Sequence, residues 1–267
     1  MNKIVVVTFA DDAYREAQKI NVKSAEHIGR ADRVYAYSPQ DIDPCFLQEY
    51  QDIFKIQRGC GLWLWKPYLI NKVLEEELDE GDILFYIDAG AFFIGNIRNL
   101  IRKTKDFSLL VFDTPLKEEQ FTKKDVFEKM NCNNEKYRES NQIMATYFLI
   151  RKNSQSKKII KEWLELCCNI SLIMPSDGIM EKECFIAHRE DQSIFSLVCK
   201  KNGIIPQMDI SQRRWFPRSY VCDRYEYCPV RHKGNRLPVI IYLHKMRVVK
   251  LIPLLKQLFR YIKTNFQ

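Results

Sequence analysis

Three short strand-like runs, the first of them apolar and β-branched, alternate with stretches of helical spacing, and this alternation restricts the chain to few folds. Ile4–Ala10 (IVVVTFA), Arg33–Ser38 (RVYAYS) and Ile83–Ile87 (ILFYI) each read as a strand. After the first, Asp11 and Asp12 are placed to cap a helix reaching about Gly29. Before the third, a short helix is expected around Pro44–Phe54. A longer one is expected over Pro67–Leu78, where Leu69, Ile70, Val73, Leu74 and Leu78 fall on one face. This β-α-β-α-β order predicts an α/β fold, a mostly parallel central sheet flanked by helices. Ser108–Phe112, Ala145–Ile150 and Val239–Leu243 read as further strands. Ser154–Cys168 and Asp191–Lys201 read as helices, the second stopping at Asn202–Gly203. Gln207–Gly234, rich in Arg, Tyr and Pro with little period, reads as an irregular region suited to function.

No repeat or low-complexity linker divides the 267 residues, so one domain over 1–247 is expected, with 248–267 as an appended helix. The formal charge of +8 is uneven. From Lys245 onward there are six Lys/Arg and no Asp/Glu, which leaves +2 for everything before. A nearly balanced body argues against a nucleic-acid-binding surface and points to a local task for the basic end. The nine cysteines form no C-x-x-C pair and no zinc-like spacing. Cys167–Cys168 reads as core; Cys222 and Cys228 could pair, but nothing indicates an oxidising compartment. The opening MNKIVVVTFADD is a poor signal peptide, because two aspartates follow its short apolar run. A cytoplasmic protein with reduced thiols is the expectation.

Chemistry concentrates around GDILFYIDAGAFF, residues 81–93. Asp88 ends a run apolar enough to be a buried strand, and ligands of open α/β sheets bind outside such carboxyl ends. Ala89 and Gly90 leave room for a bulky group beside the backbone. A divalent cation held against a phosphate would account for the carboxylate; so would an aspartate capping the next turn. Upstream lies RGCGLWLWKPYLI, residues 58–70. Gly59 and Gly61 bring backbone close to a partner, Arg58 and Lys66 are cations suited to phosphate, and Trp63 and Trp65 can stack on sugars or bases or fill the core. This G-x-G lacks the third glycine of the dinucleotide fingerprint.

Together with QIMATYFLIRKN, the Trp163 helix, HREDQSIFSLVCKKNGI and IIYLHKMR, in that order, these segments resemble bacterial capsule and O-antigen glycosyltransferases of the GT-A fold. The resemblance spans Ile4 to about Arg247. It implies transfer of a hexose or N-acetylhexosamine from a nucleotide-diphosphate sugar, with UDP the expected nucleotide, to a saccharide acceptor. In that fold a D-x-D motif holds Mn²⁺ or Mg²⁺ against the donor diphosphate. Here it reads Asp88-Ala89-Gly90, so metal dependence stays open. His244 is the implied second ligand beside Asp88, and imidazole suits Mn²⁺ better than Mg²⁺; a packed histidine is the alternative. The donor-binding set that follows is Asp11, Arg58, Gly61, Trp65, Lys66, Asp88, Ala89, Gly90, Lys245 and Arg247. Asp191, opening a helix beside Gln192, is the implied catalytic carboxylate. A metal-dependent nucleotidyltransferase would also explain an acidic strand end, though such enzymes gather several carboxylates. A carbohydrate- or membrane-binding module would explain the tryptophans but not Asp88, Arg58 and Lys66.

The end of the chain, VVKLIPLLKQLFRYIKTNF, places apolar residues at 248, 251, 252, 255, 258, 259, 262 and 266, with Lys256, Arg260 and Lys263 on another face. Such a basic amphipathic helix suits an anionic membrane surface. It fits an enzyme peripheral on the inner face of the cytoplasmic membrane whose acceptor is linked to polyprenyl diphosphate. A helix packed on the domain is the other reading.

Overall fold

A computed structural model describes residues 2–104, 106–176, 178, 181–221, 225–229, 232 and 237–265. The strands among the described residues are β1 (Ile4–Phe9), β2 (Arg33–Tyr37), β3 (Ile83–Ile87), β4 (Ala91–Phe93), β5 (Leu109–Leu110), β6 (Asp113–Lys117), β7 (Asn141–Ile143), β8 (Tyr147–Arg151) and β9 (Ile241–Leu243). Five helices organise the site: α1 (Arg15–Ser24), α2 (Trp65–Glu76), α3 (Ser154–Cys167), α4 (Glu190–Lys201) and α5 (Leu251–Asn265).

The central sheet has the order β2-β1-β3-β8-β5. β1 lies parallel to both neighbours, with Val6 opposite Val34 on one side and Phe85 on the other. β8 runs against β3 and β5, so four of the five strands share one direction. The expected parallel arrangement holds except at β8, whose direction no local pattern encodes. Every residue of β1 and β3 is buried because both faces of the sheet are covered. Val5, Val7, Leu84 and Tyr86 face a core with Leu69, Ile70, Ile159, Trp163, Phe195 and Val198 from α2, α3 and α4. Ile4, Val6, Phe85 and Ile87 face a second core with Ala25, Phe93, Ile97 and Leu100. Each such side chain contributes about 1.5–3 kcal/mol.

Element ends differ from the sequence reading for local reasons. α1 begins at Arg15 because Asp11 first closes a turn, accepting the Tyr14 N–H. α2 begins at Trp65, which puts Pro67 in the first turn, where no intrahelical N–H bond is lost. The Pro44–Phe54 segment splits into Pro44–Glu49, capped by Asp43, and Gln51–Phe54. Ser108–Phe112 contracts to β5, and Val239–Leu243 contracts to β9. β9 pairs with β4 outside the central sheet, with Ala91 opposite Leu243. Gln207–Gly234 holds two 3-10 turns, Gln212–Trp215 and Pro217–Tyr220, within its described part. Cys167 is buried in the core, and the described cysteines are free thiols. Cys222 lies outside the described residues.

Candidate active site

The question posed by Asp88 has an answer in Lys66. α2 carries Lys66 beneath the carboxyl end of β3, and its side chain is almost wholly buried. Its ammonium lies 3.4 Å from Asp88 Oδ1, 3.1 Å from Asp191 Oδ2 and 3.3 Å from the Ala145 carbonyl, to which it donates. Tyr86 adds a 2.5 Å hydrogen bond from its hydroxyl to Asp88 Oδ1. Burial alone would lower the Lys66 pKa, but Asp191 and Asp88 outweigh it and hold the ammonium above its usual value. For Asp191, burial dominates and raises its pKa from 3.8 to about 7, against the pull of Lys66; Asp88 and Glu190 add to the rise. Lys66 therefore stays charged while Asp191 is poised at neutral pH. Asp191 Oδ2 is buried against the Lys66 ammonium with no well-directed hydrogen bond.

Asp191 is aimed by strained backbone. Glu190 has φ 35°, a left-handed conformation unusual for a side chain of its size. Its carboxylate takes a 2.7 Å bond from Arg58 Nε, which anchors that turn. Trp163 Nε1 donates to the Asp191 carbonyl at 3.0 Å. The Gln192 amide accepts from the Ala145 N–H and donates to Gln142, so it braces the loop before β8.

Two cavities open side by side at this end of the sheet. One, of about 470 Å³, runs from the end of β1 and is lined by Asp11, Tyr14, Gly59, Trp65, Ala89 and Arg247 among others. The second, of about 400 Å³, is lined by Arg58, Lys66, Arg189, Asp191, Arg213 and Tyr220 among others. Trp63, Asp88, Thr146, Leu243 and Lys245 line both, so the cavities meet at Asp88 and Lys245. Lys245 is brought there by the β4–β9 pairing: the Gly90 carbonyl accepts the N–H groups of both His244 (2.9 Å) and Lys245 (2.8 Å). Water in the cleft reaches Lys245, yet protein crowds its ammonium. That burial first, then Arg213 and Arg189, pull its pKa down to about 8, with Asp88 opposing.

Several expected roles change. Lys66 was expected at phosphate; it is instead held between two carboxylates, almost wholly buried in the wall of the second cavity. Arg58 was expected there too, and its Nε is committed to Glu190. Gly61 lines neither cavity. It has φ 88°, and a Cβ there would come within 2.6 Å of the Phe54 ring, so it is a packing glycine; Gly59 takes the lining position. Trp65 edges the first cavity but stacks on Phe9 at 3.7 Å and belongs mainly to the core. Trp63, in a left-handed conformation, is the tryptophan that faces both cavities. Arg189, Arg213, Tyr220 and Tyr225 were not singled out from the sequence. The one signal for three of them was the Arg- and Tyr-rich character of the irregular region.

The metal expectation can be tested on the donors. Among the described residues no group of three or more His, Cys, Asp or Glu side chains gathers as a metal site. Asp88 is engaged by Lys66 and Tyr86. His244 accepts the Met246 N–H at Nδ1 (2.9 Å), and burial lowers its pKa to about 4. The ring is therefore neutral with its proton on Nε2, a buried atom without a partner. A lone pair at Nε2 would require giving up the Met246 bond. Asp88 and His244 as they stand do not fit a protein-held divalent ion.

Gly90 packs closely on the backbone that follows β9. A Cβ there would lie 3.1 Å from Lys245 Cα, so a side chain at this position requires the His244–Lys245 backbone to shift by a few tenths of an ångström. Gly90→Ala is expected to cost about 1–3 kcal/mol by overpacking, read as a lowered Tm; an unchanged Tm would contradict this close approach.

No protein-family model and no curated protein matches the chain. Solved structures do. The galactosyltransferase LgtC, in complex with donor and acceptor sugar analogs, aligns with a TM-score of 0.50 at 14% identity, over 90% of this chain and 86% of that one. The chain has the GT-A fold. Mouse xyloside xylosyltransferase 1 aligns with a TM-score of 0.44 at 10% identity, covering 91% of this chain and 97% of that one. The glycosyltransferase GlyE of Streptococcus pneumoniae TIGR4 aligns with a TM-score of 0.42 at 16% identity, over 79% of this chain and 46% of that one. Within this GT-A frame, the paired cavities lie at the carboxyl end of β3 and include Asp88.

Proposed function

We propose that the protein is a glycosyltransferase that moves a hexose or N-acetylhexosamine from a nucleotide-diphosphate sugar, with UDP as the nucleotide, to a saccharide acceptor. One observation carries this reading: two cavities meet at Asp88 and Lys245, and only the second contains the poised carboxylate of Asp191. The cavity beside β1, lined by Asp11, Tyr14 and Arg247 among others, takes the nucleoside. The diphosphate lies at the junction. The sugar and the acceptor share the second cavity with Asp191.

The chemistry follows from that division. The bond from the anomeric carbon to the phosphate oxygen breaks, and its electron pair stays on the diphosphate. The acceptor oxygen bonds to the anomeric carbon while its proton passes to Asp191. Lys66 keeps part of the Asp191 population ionised at neutral pH, which a buried carboxyl alone would not be. A nucleotidyltransferase is less well supported, because the three carboxylates of the second cavity are already paired, Asp88 and Asp191 with Lys66 and Glu190 with Arg58. A binding module has no use for so costly a buried charge cluster.

The test is release of nucleoside diphosphate from UDP- and GDP-sugars with and without saccharide acceptors. Asp88→Ala is expected to lower transfer about 10²-fold or more, as loss of a group organising the leaving-group site does. Full activity in a folded Asp88→Ala protein would refute the assignment.

The acceptor reading extends to a polyprenyl-diphosphate-linked glycan in capsule or O-antigen synthesis, handled at the inner face of the cytoplasmic membrane. Among the described residues no helix is long and apolar enough to cross a membrane. α5 exposes Leu251, Ile252 and Phe259, at 71%, 66% and 69%, beside the cations Lys256 and Arg260. An apolar strip flanked by cations complements an anionic lipid surface. The opposite side of α5 is tied to the body, with Gln257 donating to the His244 carbonyl at 2.9 Å. Truncation after Val249 is expected to abolish co-sedimentation with vesicles containing phosphatidylglycerol; unchanged sedimentation would remove the membrane from the proposal.

A further inference from the structure

We propose that Lys245, Arg213 and Arg189 neutralise the donor diphosphate in place of a divalent ion, so that nucleotide binding is metal-independent. This rests on the nucleotide-sugar reading above. Three observations lead to it.

The first is an uncompensated charge. Five cations, Arg58, Lys66, Arg189, Arg213 and Lys245, face three carboxylates, Asp88, Glu190 and Asp191, in the lining of the second cavity. The carboxylates are accounted for: Lys66 pairs with Asp88 and Asp191, and Arg58 with Glu190. Among the described residues, none of Lys245, Arg213 and Arg189 has a carboxylate ion-pair partner. Like charges gathered in one cleft repel each other, and an anion bound among them relieves that repulsion.

The second is that the guanidinium groups are held in place by neutral partners. Arg213 is buried, donates from Nε to Ser219 Oγ at 3.1 Å and lies 3.7 Å over the Tyr220 ring. Arg189 donates to Gln142 Oε1 at 3.1 Å and lies 3.7 Å over the Phe121 ring. Rings, a hydroxyl and an amide oxygen orient the planes without cancelling the charge, which leaves it for a ligand. Lys245 adds an ammonium with no hydrogen bond or ion pair among the described residues, at the junction of the two cavities.

The third is Gly90. A side chain there would crowd the backbone that delivers Lys245, its Cβ 3.1 Å from Lys245 Cα. The motif position that carries no carboxylate in this chain therefore lies against the residue that supplies a cation.

The experiment is calorimetric titration of the full chain with UDP and with GDP, in EDTA and again with excess Mn²⁺ or Mg²⁺. At least one nucleotide is expected to bind in EDTA, with a Kd that either metal changes by no more than about twofold. Lys245→Met is expected to weaken binding in EDTA about 10- to 100-fold, the loss of one charge-assisted contact to phosphate. Its Tm without ligand should match wild type, and Lys245→Arg should restore most of the affinity. Binding that requires metal would overturn the inference and leave the transferase reading standing, as would wild-type affinity in Lys245→Met. Binding of neither nucleotide under any condition would overturn both.

Discussion

Asp191→Asn is expected to reduce sugar transfer about 10²- to 10⁴-fold, the range for loss of a positioned acid–base group, with folding and nucleotide affinity retained. The amide has the shape of the carboxyl, and the bond from Trp163 Nε1 reaches the backbone carbonyl, which the substitution leaves alone. The pH dependence carries a sign. The ionised form is the active one, so wild-type kcat/KM rises with pH through about 7 and levels off above it. Stability moves the other way. The folded-state pKa is raised, so native protein holds a proton that the unfolded chain releases between about pH 4 and 7. Asp191 therefore contributes stability below pH 4 that is lost as pH rises through 7, and Asp191→Asn removes that decline. A flat wild-type rate profile across this window, or half-maximal activity in Asp191→Asn, would end the assignment.

Lys66→Met is expected to be nearly as damaging, through a different route. Lys66 lowers the Asp191 pKa that burial raises. Without it the acid limb moves to more alkaline pH, and each unit of displacement removes about tenfold of the ionised form at neutral pH. Activity should recover in part above pH 8 or so, which loss of a phosphate contact would not produce. Breaking a buried pair costs about 3–5 kcal/mol when a charge is left stranded. Here Asp191 can take up a proton instead, so the Tm loss should be small at acidic pH and grow as pH rises. Combining Lys66→Met with Asp191→Asn should restore most of the alkaline Tm loss, because two residues in contact are not additive. Additive losses would show that the pair does not act as a unit.

The same comparison separates the roles of two cations that look alike in sequence. Lys66 opens a helix and Lys245 follows a strand, and both read as phosphate ligands. Packing distinguishes them. Lys66 projects from α2 into the space under β3, where two carboxylates enclose it. Lys245, with φ 58°, stands where both cavities open. Arg58 likewise reads as a phosphate ligand until Glu190, 132 positions away in sequence, takes its Nε.

What the sequence by itself determined is local: the alternation of strands and helices, the buried run that ends at Asp88, the need for glycine near it, and the amphipathic character of α5. These depend on periods of two and 3.6 residues and on backbone sterics, which neighbouring residues encode. Only the tertiary structure decided the reversed direction of β8, the pairing of β9 with β4 and the partners of each charge. Those depend on which distant segments share a low-dielectric space. There an opposite charge a few ångströms away changes both the protonation and the availability of a side chain. Asp88, Lys66 and Asp191 are individually legible; that one buried ammonium serves two carboxylates is a property of the fold.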